Sequence, residues 1–353
     1  MTVERTSAPT APSQPLEQQV RDHPERFRVL TGDRPTGPLH LGHYFGTLAN
    51  RVRLQRAGVE VFLVIADYQV ITDREGVGDL SASVREVVLD YLAAGIDPAR
   101  ATIFTHSAVP ALNQLVVPFL SLVTVAELGR NPTVKAEADA TRARRGMSGL
   151  LFTYPVHQAA DILFCHGNLV PVGRDQLPHL ELTRLIARRF NERYAAGTTV
   201  FREPDALLSA APVLLGTDGT KMSKSRANAI ALGDDEDRTA ALLRKVKTDS
   251  LRTITYDPEQ RPEVASLLLT AALCTGRSPI DIADELGDRG AVALKALVTE
   301  AVNEHLRPLR QRRRELAGDS TIVRHVLDEG NAHANRIADQ TLQTVREVMH
   351  MAY

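Results

Sequence analysis

Two histidines three residues apart, His40 and His43, stand on either side of Gly42 where a strand-like run gives way through a loop to a helix-like one. Residues at that spacing share a helix face. Backbone N–H groups at a helix start favour phosphate, and a glycine between the rings leaves room for a flat ligand, so the motif describes a berth for an adenine nucleotide. Two surface histidines at a helix start would look the same, so the reading needs a second anchor. Gly219-Thr220-Lys221-Met222-Ser223-Lys224-Ser225, far downstream, offers one: two lysines on a Gly- and Ser-rich loop can wrap a polyphosphate as mobile point charges, and Ser223 and Ser225 add donors. By itself such a stretch is often only a solvated basic loop. The order of the two motifs within one α/β chain is what makes them informative.

A third group is Tyr154, Gln158 and Asp161, spaced i, i+4 and i+7. A helix presents them on one face as a phenol, an amide and a carboxylate among Ala159, Ala160, Ile162 and Leu163, which suggests a pocket floor rather than a wet surface. A fourth is Gly173-Arg174-Asp175-Gln176. There a glycine admits a ribose to the backbone, Asp175 can accept from its hydroxyls, and Gln176 can reach the amine or carboxylate of a small substrate. A plain surface turn before a helix is the competing reading. For a polyanionic partner the chain offers Arg142, Arg144 and Arg145 in a loop and Arg307, Arg310, Arg312, Arg313 and Arg314 on a helix.

The elements that must position these groups follow from hydrophobic period. Arg28 to Thr31, Val61 to Ala66, Thr102 to Thr105 and Leu169 to Val172 are short apolar runs of the kind found in strands covered on both faces. Helical spacing follows Leu39, spans Leu80 to Ala94 and precedes Leu169. Strand alternating with helix predicts an α/β fold with a parallel, doubly wound sheet. Beyond Asp234 the strand signal fades and helical spacing runs almost to Tyr353, so residues 27–233 read as a nucleotide-binding catalytic domain with a helical insertion and residues 234–353 as an all-helical domain. Residues 1–26, with Pro9, Pro12 and Pro15 among small polar residues, read as a flexible tail without a signal-peptide core.

Composition bounds the rest. The 353 residues are 43% hydrophobic and 24% charged, enough for a buried core, and 42 basic against 43 acidic side chains leave no global field, so any nucleic-acid site is a local patch. Two cysteines, Cys165 and Cys274, lie far apart with no zinc-ligand spacing, which points to a reducing cytoplasm and to no structural metal. No apolar run reaches the ~20 residues of a membrane span.

The pairing of the HLGH and KMSKS motifs resembles class I aminoacyl-tRNA synthetases. Asn131-Pro132-Thr133-Val134-Lys135, Tyr154-Pro155-Val156-His157-Gln158-Ala159-Ala160-Asp161, Val170-Pro171-Val172-Gly173-Arg174-Asp175-Gln176, Lys247-Thr248-Asp249-Ser250 and Tyr256-Asp257-Pro258 narrow the resemblance to the bacterial tryptophanyl members of the tryptophanyl and tyrosyl subgroup. It runs from about residue 27 to the last residue. The resemblance implies a Rossmann-like catalytic domain and a tRNA-binding role for the helical one. It implies ATP with Mg²⁺ as co-substrate, no prosthetic group, and a homodimer acting on L-tryptophan and tRNA(Trp).

Carried onto this chain, the resemblance gives His40, His43, Lys221 and Lys224 to catalysis. Arg34, Gly42, Gly173, Asp175, Met222, Ser223 and Ser225 join the lysines at ATP, and Leu30, Tyr154, Gln158, Asp161 and Gln176 go to tryptophan. Asp161 is then the acceptor of the indole N–H, although a carboxylate would accept a phenol O–H equally. Two positions pull apart: Gln158 stands where tryptophanyl enzymes often have methionine and tyrosyl enzymes glutamine, whereas Leu30 stands where tyrosyl enzymes place a tyrosine. Arg34 replaces a common glutamine, at a place where a cation suits phosphates. A tyrosine-tRNA ligase is therefore the alternative, and a synthetase-like binding or regulatory paralogue that charges no tRNA is the alternative outside the enzyme class.

Overall fold

A computed structural model describes residues 15–72, 76, 78–132, 134–135, 147–173, 176–208 and 213–353. Its centre is a sheet of β1 (Arg28–Asp33), β2 (Glu60–Ile65), β3 (Ala101–Thr105), β4 (Leu169–Val172) and β5 (Asp205–Leu208) in the order β3-β2-β1-β4-β5, every neighbouring pair parallel. The parallel α/β sheet and the helical region after it are as the hydrophobic pattern predicts. β5 went unforeseen: Asp205-Ala-Leu-Leu is short and follows Pro204, so its period is too brief to read.

Alternation along the strands divides the core. Val29, Val61, Leu63, Ile103 and Leu169 face one side with Val87, Val88 and Tyr91 of the Leu80–Ala94 helix. Leu30, Phe62, Val64, Phe104 and Val170 face the other with Val156, Ala159 and Leu163 of the Gly149–Phe164 helix and Leu180, Ile186 and Phe190 of the Leu177–Tyr194 helix. Side chains successive in a strand point to opposite faces, and both faces are covered. β1 lies beside both β2 and β4, so the chain direction across the sheet reverses between β1 and β4. Ligands of open parallel sheets bind at that point, beyond the carboxyl ends of the strands. At the end of β1, a Cβ on Gly32 would stand 2.0 Å from the Val64 carbonyl oxygen, so only glycine lets the two strands run this close.

The Pro262–Thr275, Pro279–Leu286, Gly290–Ala317 and Ile322–Val348 helices form the carboxyl-terminal region. The last of them returns to the sheet along the edge strand β3. A Cβ on Gly330 would come within 1.9 Å of the Ile103 carbonyl oxygen, the Thr105 N–H donates to Asn331 Oδ1 (3.0 Å), and Thr102 Oγ1 meets His333 Nδ1 (2.9 Å). The open edge of β3 is thereby covered.

The amino-terminal expectation is corrected in part. Residues 1–14 lie outside the described residues, but the stretch up to residue 26, expected to be loose, holds a helix at Leu16–Asp22 and a short 3₁₀ turn at Pro24–Arg26. Leu16 and Val20 share one helix face, and burial of Val20 against the core holds the segment down.

Candidate active site

The helix that follows the first loop starts at Leu41–His43, passes through a π-helical turn at Tyr44–Leu48 and continues as Ala49–Ala57. A π turn is a common mark of a functional site, because it re-aims the side chains next to it. His40 is extended and caps the helix: its Nδ1 accepts from the Gly42 N–H (3.1 Å), while His43 Nδ1 accepts from the His40 N–H (3.3 Å). Each ring therefore carries its proton on Nε2. The rings sit 3.8 Å apart between centroids. Burial, with the neighbouring ring and Lys224 adding to it, pulls His40 down to about 3; burial foremost, then Lys224 and Arg51 against the opposing pull of Asp33, brings His43 to about 4. Both are neutral imidazoles at pH 7, able to offer Nε2–H to a phosphate oxygen but not a charge.

The charge comes from the second motif. Leu41 N–H donates to Ile230 O (3.0 Å) and Leu232 N–H to Leu39 O (2.9 Å), so the segment after the KMSKS loop runs as a rail beside the HLGH motif. Lys224 Nζ donates to Gly37 O (2.7 Å), and Lys221 is exposed at the foot of the loop. The loop is pinned by buried Asn228, which takes the Ser223 N–H on Oδ1 (2.8 Å) and donates from Nδ2 to Asp218 Oδ1 (2.8 Å). The Met222 side chain lies in the core beneath Gly42 and anchors the loop, so what it can offer a nucleotide is its backbone. Arg34 is exposed in the first loop. Asp175 and the Ser225 side chain lie outside the described residues.

Under this site is a buried polar cluster that sequence reasoning missed. Asp33, at the end of β1, pairs with Arg51 (2.5 Å) and accepts from the Tyr91 hydroxyl (2.7 Å), while Arg51 also donates to Gly32 O (3.2 Å). Burial alone would raise the Asp33 carboxyl, but the Arg51 guanidinium outweighs it and holds it far below the usual carboxylate range. The cluster ties β1 to the helix after it, and no sequence spacing links residues 33, 51 and 91.

Across the sheet, Tyr154, Gln158 and Asp161 do lie on the Gly149–Phe164 helix, on the face of the sheet that carries Leu30. Tyr154 and Gln158 are partly exposed and Asp161 is buried. Tyr154 OH meets His179 Nε2 (3.2 Å). Asp161 Oδ1 is buried with no hydrogen-bond partner among the described residues. Gly173 and Gln176 follow β4, with the Gln176 N–H on Gly173 O (3.0 Å) at the entry to the Leu177–Tyr194 helix. The loop after β1 and the loop after β4 thus flank the reversal of the sheet, one with the imidazoles, the other with Gln176.

The arginines divide differently from expectation. Arg142, Arg144 and Arg145 lie outside the described residues. Arg310 is buried against Thr239 Oγ1 (2.7 Å) and Asn303 Oδ1 (2.8 Å), and Arg313 pairs with Glu86 and buried Asp90 (2.7 Å to the latter). These two hold helices together instead of tracking phosphates, while Arg312 and Arg314 are exposed.

Comparison with known proteins shows the family of the chain. Residues 22–307 match the family described as tRNA synthetases class I (W and Y). A tryptophan–tRNA ligase of Treponema pallidum is 43% identical, with 92% of this chain and 97% of the relative covered, and one of Clostridium longisporum is 41% identical over 92% and 97%. The crystal structure of a tryptophanyl-tRNA synthetase of Campylobacter jejuni complexed with ADP and tryptophan matches with a TM-score of 0.77 at 30% identity, covering 92% of this chain and 100% of that one.

Proposed function

The chain belongs to the class I tRNA synthetases of the tryptophan and tyrosine group, and from that premise we propose that it joins L-tryptophan to tRNA(Trp) in two steps driven by ATP. The tryptophan carboxylate attacks the α-phosphorus, pyrophosphate leaves, and the acyl group of the adenylate then passes to a hydroxyl of the terminal tRNA ribose. The nucleophile belongs to the substrate, so the protein acts by position and charge. His40 and His43 offer neutral Nε2–H donors to phosphate oxygens, and Lys221 and Lys224 take the charge that develops on departing pyrophosphate. Gly42, Gly173 and the backbone of Met222 and Ser223 admit the nucleotide, with Asp175 at its ribose and Arg34 and Ser225 towards the phosphates. Leu30, Tyr154, Gln158, Asp161 and Gln176 hold the amino acid. ATP brings its own Mg²⁺, and Asp33, the carboxylate at the end of β1, is taken by Arg51.

The observation that carries this reading is the contact of Lys224 with Gly37, which sets the lysine loop over the histidine motif at the reversal of the sheet. ATP–pyrophosphate exchange tested with each amino acid checks it: exchange with tryptophan is expected. Exchange with tyrosine alone would support the alternative that Gln158 favours, and silence with all would support a non-charging paralogue. The same reading carries a cytoplasmic homodimer, a catalytic domain over residues 27–233 and a tRNA-binding domain over residues 234–353. Sedimentation and limited proteolysis test these.

A further inference from the structure

Beneath Asp161 lies a second side chain that the activity described above leaves without a task. His106, in the turn that follows β3, is fully buried, and its Nε2 stands 2.9 Å from Asp161 Oδ1. The contact is an ion pair, and neither ring nitrogen has a hydrogen-bond partner of good geometry among the described residues. Its ring packs on His157 with centroids 4.4 Å apart, and Tyr68 lies at 6.4 Å.

Ligand atoms of His106, His157 and Asp161 come within 4.8 Å of one another, a spacing a metal ion could use. The hydrogen bonds around His157 argue otherwise. Asn113 Nδ2 donates to two carbonyls, those of His106 (2.8 Å) and Val109 (3.0 Å), which leaves Asn113 Oδ1 as an acceptor for His157 Nε2 (2.9 Å). His157 therefore carries its proton on Nε2 and accepts at Nδ1 from Gln69 Nε2 (3.1 Å). Neither nitrogen keeps a lone pair for a metal. His157 is a fixed neutral wall, and burial further disfavours its charged form.

We propose that His106, set against Asp161 in the floor of the amino-acid pocket, is a positioning residue whose cationic ring holds this carboxylate in place as the acceptor for the ring N–H of tryptophan. The inference rests on the reading of Asp161 given above and deepens it. A buried carboxylate is costly without a countercharge, and an imidazolium beside it supplies one that also fixes its orientation towards a donor-only indole N–H. The groups facing His106 are consistent with a cation there: Asp161 and neutral His157 from the Gly149–Phe164 helix, Tyr68, and Asp67 in the turn after β2, whose oxygens accept from the Ser107 N–H (3.1 Å) and hydroxyl. Burial works against the imidazolium, yet Asp161 and then Asp67 prevail and raise His106 above the ordinary histidine value. His40, His43 and His157, by contrast, are pulled below that value.

The test is equilibrium binding of tryptophan and of 1-methyltryptophan to the full chain between pH 6.5 and 8.5. His106→Gln, which keeps a neutral polar group, is expected to bind tryptophan on the order of tenfold more weakly at the low end of that range and to discriminate less against the methylated ligand, because the carboxylate loses the cation that holds its charge-assisted bond on the indole N–H. Native protein should lose affinity as pH rises through the range, and His106→Gln should show a flat profile. Native affinity and a native profile in His106→Gln, alongside weakened binding in Asp161→Ala, would overturn the role of His106 and leave the reading of Asp161 standing. Unchanged binding in Asp161→Ala would remove both. Should His106→Gln fail to fold, ¹⁵N spectra of the native protein decide: both ring nitrogens of His106 protonated at neutral pH support the inference, and a neutral ring overturns it.

Discussion

The HLGH imidazoles are made neutral by their surroundings, and that has a sign. In the unfolded chain they take up protons near the ordinary value of ~6.5, whereas in the folded protein they wait until about 3 for His40 and about 4 for His43. Between those limits the unfolded state binds more protons, so stability falls as pH drops from about 6.5 towards 4. Chemical denaturation at pH 7 and pH 5 should show a smaller loss on acidification in His43→Asn than in the native protein. An equal loss would mean that this ring is not desolvated. Asp161→Ala belongs to the same scale: removing a charge-assisted bond to a buried group costs ~1.5–3 kcal/mol, so the tryptophan requirement should rise roughly 10- to 150-fold with ATP binding unchanged. His40, Gly42 and His43 are legible in the sequence as one local motif, with His40 capping the helix instead of lying on its face, and Asp161 is legible because helix spacing sets it with Tyr154 and Gln158. His106 and the Asp33–Arg51–Tyr91 cluster are not, since their members come from separate elements and meet only when the sheet is assembled.

At the scale of elements, the lysine loop is only as well placed as Asn228 makes it. Its amide serves Ser223 on one side and Asp218 on the other, and the Asn228 side chain leaves Gly216 no room for a Cβ, which would fall 2.5 Å from the amide carbon. Asn228→Ala removes several bonds at about 1 kcal/mol each, and a slower adenylate formation by one to two powers of ten is expected with tryptophan affinity kept. Lys224→Ala should likewise slow adenylate formation far more than it weakens tryptophan binding, because the lysine gains most as charge moves onto pyrophosphate. Pre-steady-state exchange and equilibrium binding separate the two quantities; parallel losses would count against the assignment. The strands that carry the site were legible as apolar runs, while β5 and the Leu16–Asp22 helix were hidden, one by its four-residue length and the other by the prolines around it.

Across the whole molecule, the hydrophobic pattern separates a sheet region from a helical one, but it carries no sign that the Ile322–Val348 helix comes back to close the sheet. The signal is a glycine in the middle of a helix, Gly330, which only the approach to β3 explains. Gly330→Val should cost at least the ~1–3 kcal/mol of an overpacked contact, read as a lower urea midpoint, and expose β3 to added strands. An unshifted midpoint would show that the helix does not bear on the strand. The covering helix is also a matter of timing. β3 is made more than two hundred residues before the segment that closes its edge, so at ~5–20 residues per second a chain emerging from the ribosome holds that edge open for some ten seconds or more. During that interval the nascent chain is a substrate for strand-capturing chaperones, and a synonymous change that slows translation between β3 and residue 322 should lower the soluble yield of a protein whose finished sequence is unaltered.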